Sequence, residues 1–235
     1  MSIRAFLACA ASLAVVAAVR AQVELVTKGH TRVLYVAGAQ DTEVLDLYSA
    51  DLQTGQILRM TGPSGASGWS LDHTVDATSK HVVWLDGPSE SDSFTLMLHR
   101  SRLKDGSSIL LTDPAAESVE RWELDPRGKY AVSVVFQKAT EAVEIHRARI
   151  SDGQQLVLNP PLVEGGNVDP HFDIDPRGRY VLYTADAEVD ETHELYRADL
   201  KTGAVLKLND PLPAGGSAWN PQRIQSTASA ATEKA

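Results

Sequence analysis

Histidines and acids are the side chains of this sequence best suited to chemistry, and their spacing suggests what chemistry that would be. His99 and His146 stand at equivalent places about one repeat apart, where two imidazoles on neighbouring strands could share a metal ion. The same places are filled elsewhere by Tyr48 and Tyr196, so a half-buried aromatic slot is the simpler assignment. His171, beside Phe172, is the histidine best placed for a ligand or catalytic role. Acids gather at Asp86, Glu90 and Asp92, and again at Asp186, Glu188, Asp190 and Glu191. Oxygens at alternate positions could hold calcium, but the regular D-x-[DN]-x-[DN]-G loop is missing and solvated hairpin tips explain these acids more simply. There is no G-x-S-x-G elbow, no H-E-x-x-H and no phosphate-binding glycine loop. The closest approach to an elbow, GPSGASG at 62–68, reads as a connector.

The elements that would carry these residues form a repeat. RVLYVAG from Arg32, HVVWLDG from His81, YAVSVVF from Tyr130 and YVLYTAD from Tyr180 start about fifty residues apart. Each is followed by a run of period two: LYSADLQTG, LHRSRLKDG, IHRARISDG and LYRADLKTG. One face of these runs is apolar around a small residue (Ala50, Ser101, Ala148, Ala198), which predicts a closely packed neighbouring sheet; the other face runs from aliphatic to polar. A Thr-Gly or Asp-Gly pair then supplies a glycine for a hairpin turn, and a short strand follows: QILRMT, SSILLT, QQLVLN, AVLKLN. One further strand precedes the second to fourth units, marked by Trp69, Trp122 and Phe172, and Trp219 continues this aromatic series.

Asp125-Pro126-Arg127-Gly128 and Asp175-Pro176-Arg177-Gly178 satisfy the preferences of a type I turn at three positions. They read as structural corners between the first two strands of a unit, not as a duplicated active site. The second unit has the longer HTVDATSK in this place and the first has TKGH, so two of four units are expected to lack the corner.

Four such units predict an all-β fold, a β-propeller of about four four-stranded antiparallel blades, with units near 31–61, 68–112, 121–159 and 171–209. The pattern aromatic-x-(Leu/Ile)-Asp-Pro-x-Gly-basic-Tyr, then a buried strand, then (Leu/Ile)-(Tyr/His)-Arg-Ala-x-(Leu/Ile)-x-x-Gly, resembles the TolB-like, WD40-like propeller repeat over residues 31–224. It is similar also to units in the propellers of prolyl oligopeptidase relatives. TolB itself has six blades, against four units here. The resemblance implies a binding or scaffolding module. For the inner strand of the first blade two segments compete, VELVTKGH and AWNPQRIQ; the second keeps the aromatic and is favoured, closing a four-bladed ring. The other outcome is an incomplete fifth blade starting at Trp219, whose open edge would invite dimerisation.

In such a ring Trp69, Asp72, Trp122, Glu123, Asp125, His171, Asp173, Asp175 and Trp219 would rim or line the channel, together with Ser70 and Asn220. The acids in this series point to a basic peptide or a cation as ligand. Composition narrows the partners: 22 basic against 31 acidic residues give a net charge of −9, which disfavours nucleic acid and anionic lipid.

Residues 1–21 combine a basic start, an apolar stretch and small residues before Ala21, the pattern of a signal peptide. Arg20 interrupts the run too early for a membrane span. Removing Arg4 and Arg20 leaves 20 basic residues against 31 acidic, a net charge of −11. The single cysteine, Cys9, lies within this leader, where a lipoprotein reading is disfavoured by Phe6-Leu7-Ala8. Residues 22–225 then make the propeller and 226–235 a polar, disordered tail. The sequence is read as an exported, periplasmic or secreted, non-enzymatic protein- or peptide-binding propeller with no cofactor, monomeric or homodimeric. The competing reading is a propeller lyase or hydrolase that uses the channel acids with a bound divalent cation.

Overall fold

The computed structural model describes residues 24–25, 32–38, 45–61, 72–86, 96–213 and 215–218. Its sixteen described strands form four antiparallel sheets of four, each a simple meander in chain order. Blade 1 holds β1 (Glu24–Leu25), β2 (Arg32–Gly38), β3 (Leu45–Asp51) and β4 (Ile57–Arg59). Blade 2 holds β5 (His73–Val75), β6 (His81–Asp86), β7 (Met97–Arg102) and β8 (Ser108–Leu110). Blade 3 holds β9 (Ala116–Leu124), β10 (Tyr130–Gln137), β11 (Ala142–Arg149) and β12 (Gln155–Val157); blade 4 holds β13 (Val168–Ile174), β14 (Tyr180–Ala185), β15 (Glu194–Asp199) and β16 (Val205–Lys207). Among the described residues there is no helix long and apolar enough to cross a membrane.

The blades pack face on face through three apolar clusters. Leu34, Val36, Leu47 and Met60 of blade 1 meet Val82, Trp84 and Leu103 of blade 2. Val83, Leu98 and Leu111 of blade 2 meet Ala131, Val135, Ala148 and Ile150 of blade 3. Val132, Val134, Ile145 and Leu158 of blade 3 meet Val181, Tyr183, Tyr196, Ala198 and Leu200 of blade 4. Burial of such side chains is worth about 1.5–3 kcal/mol each, so these joints are the main source of stability. The small residue expected at each joint is there: Ser101, Ala148 and Ala198 are buried, and the indole of Trp84 donates to Ser101 Oγ over 2.9 Å.

Two details correct the sequence reading. The inner strand of blade 1 is β1, paired with β2 through Glu24 and Leu25, so the position expected for the Trp219 segment is already occupied; Trp219 lies outside the described residues. The first strand of blade 2 is centred on Thr74, not on Trp69, which also lies outside the described residues; registers place His73 where blade 3 has Trp122. Among the described residues no apolar cluster joins blade 4 to blade 1. The second, partly polar face of the β3-type strands is buried as well: Ser49, Arg100 and Arg147 are 0, 3 and 4% exposed. Arg100 escapes the cost of a buried cation by donating from Nε and Nη2 to the carbonyls of Ile150 and Ser151, both at 2.8 Å, which ties blade 2 to the next blade's turn.

Candidate binding site

The repeated Asp-Pro-Arg-Gly corners are built from the carboxylate outward. Asp125 Oδ2 accepts the backbone N–H of Arg127 at 3.0 Å, and Oδ1 accepts those of Lys129 and Tyr130, both at 2.6 Å. The Gly128 N–H closes the turn on the Asp125 carbonyl at 2.9 Å. In blade 4 Asp175 accepts from Arg177 at 3.1 Å, from Tyr180 at 2.7 Å and from Arg179. The fourth corner position needs a positive φ, +64° at Gly128 and +58° at Gly178.

Blade 2, expected to lack this corner, has it at Asp76–His81. Asp76 accepts from the N–H groups of Lys80 and His81 at 2.9 and 3.3 Å, from the Thr78 hydroxyl at 2.8 Å, and pairs with His81 Nδ1 at 3.0 Å. Here Ala77 replaces proline and Ser79 replaces glycine, at φ +53°. A serine in the left-handed region is strained by about 1 kcal/mol relative to glycine. Ser79→Gly should therefore stabilise the chain by about 0.5–1 kcal/mol in urea unfolding; no gain would mean that the serine side chain offsets its own strain.

Neighbouring corners touch. A Cβ on Gly128 would lie 2.8 Å from the Ala77 nitrogen, and one on Gly178 would lie 2.6 Å from Asp125 Oδ2. This close approach lines up the corners of blades 2, 3 and 4 along one end of the fold. Between blades 3 and 4 a pocket of about 430 Å³ opens, lined by Arg127, Lys129, Tyr130, Gly178, Arg179, Asp199, Lys201 and Thr202.

Four cations face one carboxylate in this pocket. That carboxylate is already engaged: Asp199 Oδ1 accepts the N–H groups of Lys201 and Thr202 at 2.9 and 3.0 Å, and its Oδ2 lies 3.5 Å from Arg179 Nε. The Arg179 guanidinium also lies 4.7 Å from the centre of the Tyr180 ring. The side chains of Arg127, Lys129 and Lys201 make no ion pair among the described residues and are exposed. The pocket is thus a local positive field on a chain of net charge −9. It is suited to carboxylate or phosphate oxygens.

The acids expected to line a channel are mostly used within the protein. Asp125, 2% exposed, and Asp175 spend their oxygens inside the corners. Glu123 is ion-paired with Arg121, whose guanidinium sits 5.3 Å from the centre of the Phe172 ring. His171 is exposed and its Nδ1 lies 2.9 Å from Asp169 Oδ1. Asp173 is half-buried on β13, opposite Leu182, and Asp72 is exposed just before β5. Trp122 packs against the cluster between blades 2 and 3, where its indole N–H is buried with no partner among the described residues. Glu123, Arg121 and Phe172 are thereby brought together across β9 and β13, whereas Asp125 and Asp175 belong to the corners.

The two repeat histidines have separate surroundings. His99 stacks on Trp84 at 4.4 Å, and burial pushes its pKa down to about 4. His146 Nε2 pairs with Glu144 at 2.8 Å. Of the loop acids, Asp186 is buried and accepts the N–H groups of Asn167 and Glu191, while Glu188 pairs with Lys207 at 2.9 Å. Glu90 and Asp92 lie outside the described residues. Among the described residues no three of His, Cys, Asp and Glu are grouped to hold a metal ion.

Four repeated meanders, packed face on face, two of them turned by Asp-Pro-Arg-Gly corners, define the architecture. The fold is an all-β propeller of about four blades. TolB from Acinetobacter baumannii is similar at 18% identity and a TM-score of 0.42, over 78% of this chain and 45% of its own. A TolB from Agrobacterium tumefaciens is similar at 16% identity and a TM-score of 0.43, over 77% of this chain and 58% of its own. A prolyl endopeptidase is similar at 14% identity and a TM-score of 0.48, over 82% of this chain and 30% of its own. The chain therefore spans about half the length of the two TolB structures and about a third of the peptidase. No protein-family model and no curated protein sequence matches it.

Proposed function

We propose that this chain is an exported, non-enzymatic propeller that binds an acidic segment of a protein or peptide partner at the corners of blades 3 and 4. The observation that carries this reading is the pocket in which Arg127, Lys129, Arg179 and Lys201 surround a single, already engaged carboxylate. A basic partner, expected from the sequence, is the weaker choice because Glu123, Asp125 and Asp175 are consumed by internal partners. Export rests on the leader-like residues 1–21.

The corners suit this role physically. Their backbone is fixed by carboxylate caps and by contact between neighbouring turns, so exposed basic side chains are presented from rigid supports and lose less entropy on binding. Fluorescence anisotropy with a labelled oligoglutamate peptide and a labelled oligolysine peptide tests the reading. The glutamate peptide should bind, and the triple substitution Arg127→Glu, Lys129→Glu, Lys201→Glu should weaken it at least tenfold while leaving the thermal melt unchanged. Preference for oligolysine, or indifference to the triple substitution, would overturn it.

A further inference from the structure

The joint between successive blades is made the same way three times, and among the described residues blades 1 and 4 carry its two halves unmated. In each joint the turn glycine of one blade sits on the fourth strand of the blade before it. A Cβ on Gly106 would lie 2.8 Å from the Arg59 carbonyl oxygen, one on Gly153 would lie 3.2 Å from Ile109 Cδ1, and one on Gly203 would lie 2.6 Å from Leu156 Cδ2. The equivalent glycine of blade 1, Gly55, meets nothing within 4 Å among the described residues. Beside the turn, Leu103, Ile150 and Leu200 are at most 4% exposed, whereas their counterpart Leu52 is 50% exposed.

The receiving half is open at the other end. Met60, Leu111 and Leu158 end the outer strands of blades 1 to 3 and are at most 2% exposed. Their counterpart in blade 4, Leu208, is 44% exposed, and its neighbour Leu206, in the place of Leu156, is 49% exposed.

These halves match in detail. Blade 4 seats on blade 3 with Tyr183 stacked on Tyr196 at 5.8 Å and with the Tyr183 hydroxyl donating to the Leu158 carbonyl at 2.7 Å. Blade 1 presents the same pair in the same register, Tyr35 opposite Tyr48, stacked at 5.4 Å. Blade 3 receives blade 4 with an outer strand whose Asn159 side chain accepts from the Ile145 N–H at 3.0 Å; blade 4 repeats this with Asn209 and Leu195 at 2.7 Å. Arg197, at the position from which Arg100 reaches the next blade's turn, is half-buried over the Tyr180 ring at 4.4 Å.

We infer that blade 4 of one chain receives blade 1 of a second copy, and that the reciprocal contact closes an eight-bladed, two-fold symmetric ring. In each new joint Gly55 and Leu52 of one copy seat on Leu206 and Leu208 of the other. Tyr35 donates to the Leu208 carbonyl, and Arg197 reaches the carbonyls of Leu52 and Gln53. The occupant is a second copy because the surface continues a joint the chain already builds three times, and because eight blades is within the range that propellers adopt. Closure within one chain would require the same two surfaces to meet, and among the described residues Gly55 has no neighbour.

Light scattering coupled to size exclusion, repeated across a hundredfold concentration range, tests this. The chain should run at twice its 25.4 kDa. Leu206→Lys and Leu52→Glu, each at a half-exposed site, should each give a folded monomer by circular dichroism. An equimolar mixture of the two variants should recover a dimer, because one ring then contains one wild-type joint and one Lys–Glu joint. A monomeric parent chain, a dimer insensitive to either substitution, or two monomeric variants that stay monomeric when mixed would each overturn the ring.

Discussion

Replacing Asp125 by alanine should lower the unfolding free energy by about 3 kcal/mol, among the larger losses expected from a single polar side chain. Its carboxylate accepts three backbone N–H groups, those of Arg127, Lys129 and Tyr130, and the residue is 2% exposed. Without it these donors lose the buried acceptor they share, so the cost includes the N–H groups left unpaired as well as the lost bonds. Asp125 Oδ2 also lies where a Cβ on Gly178 would intrude, so truncation opens a gap between two blades. Asp125→Asn keeps the shape and the oxygen that serves Lys129 and Tyr130 but turns an N–H towards that of Arg127; about half the loss is expected. Asp175 caps an equivalent corner but is only half-buried, so its N–H groups can be rehydrated and Asp175→Ala should cost about 1–2 kcal/mol. Urea unfolding of the three variants checks this ordering; equal losses at Asp125 and Asp175 would show that burial does not set the cost.

This asymmetry between chemically equal corners marks the limit of what the sequence discloses. The meanders were legible because strand alternation has period two and because glycine-bearing turns recur about every fifty residues, and both are local consequences of backbone geometry. Blade 2's corner was not legible because proline and glycine are absent from it. The decisive residue is the first, Asp76, whose carboxylate folds the turn even around Ala77 and Ser79. Alternation places Arg100 and Arg147 on the partly polar face but does not say what covers it. A sheet packed on both sides buries both, and only the chain fifty residues ahead supplies the carbonyls that Arg100 uses. The basic pocket was hidden by an average: a chain of net charge −9 suggests repulsion of anions, while contact between corners gathers Arg127, Lys129, Arg179 and Lys201 from separate repeats. The basic residue after each corner glycine was present in the repeat pattern, but the proximity of two such corners is a property of blade packing.

The second large effect is a pH dependence centred on His99. The ring is stacked on Trp84 and pushed down to about 4 by burial, from an ordinary value near 6.5. Between those two values the unfolded chain carries a proton that the folded chain refuses, so stability rises with pH across this window. The contribution is complete above about pH 6.5 and lost as pH falls towards 4, because protonation then favours the unfolded state. A difference of this size corresponds to about 3 kcal/mol; Asp86 Oδ2, 3.7 Å from His99 Nε2, favours the protonated ring and trims the expectation to about 2–3 kcal/mol. His99→Tyr is the informative control, since Tyr48 and Tyr196 occupy the same register position in blades 1 and 4. It should keep the stacked pair with Trp84 and remove the titration. Urea unfolding of both proteins from pH 4 to 7 should give curves whose difference grows by one proton's slope as pH falls. Parallel curves would mean that His99 takes up its proton equally in the folded and unfolded chain, and that the Trp84 stack does not exclude the charge.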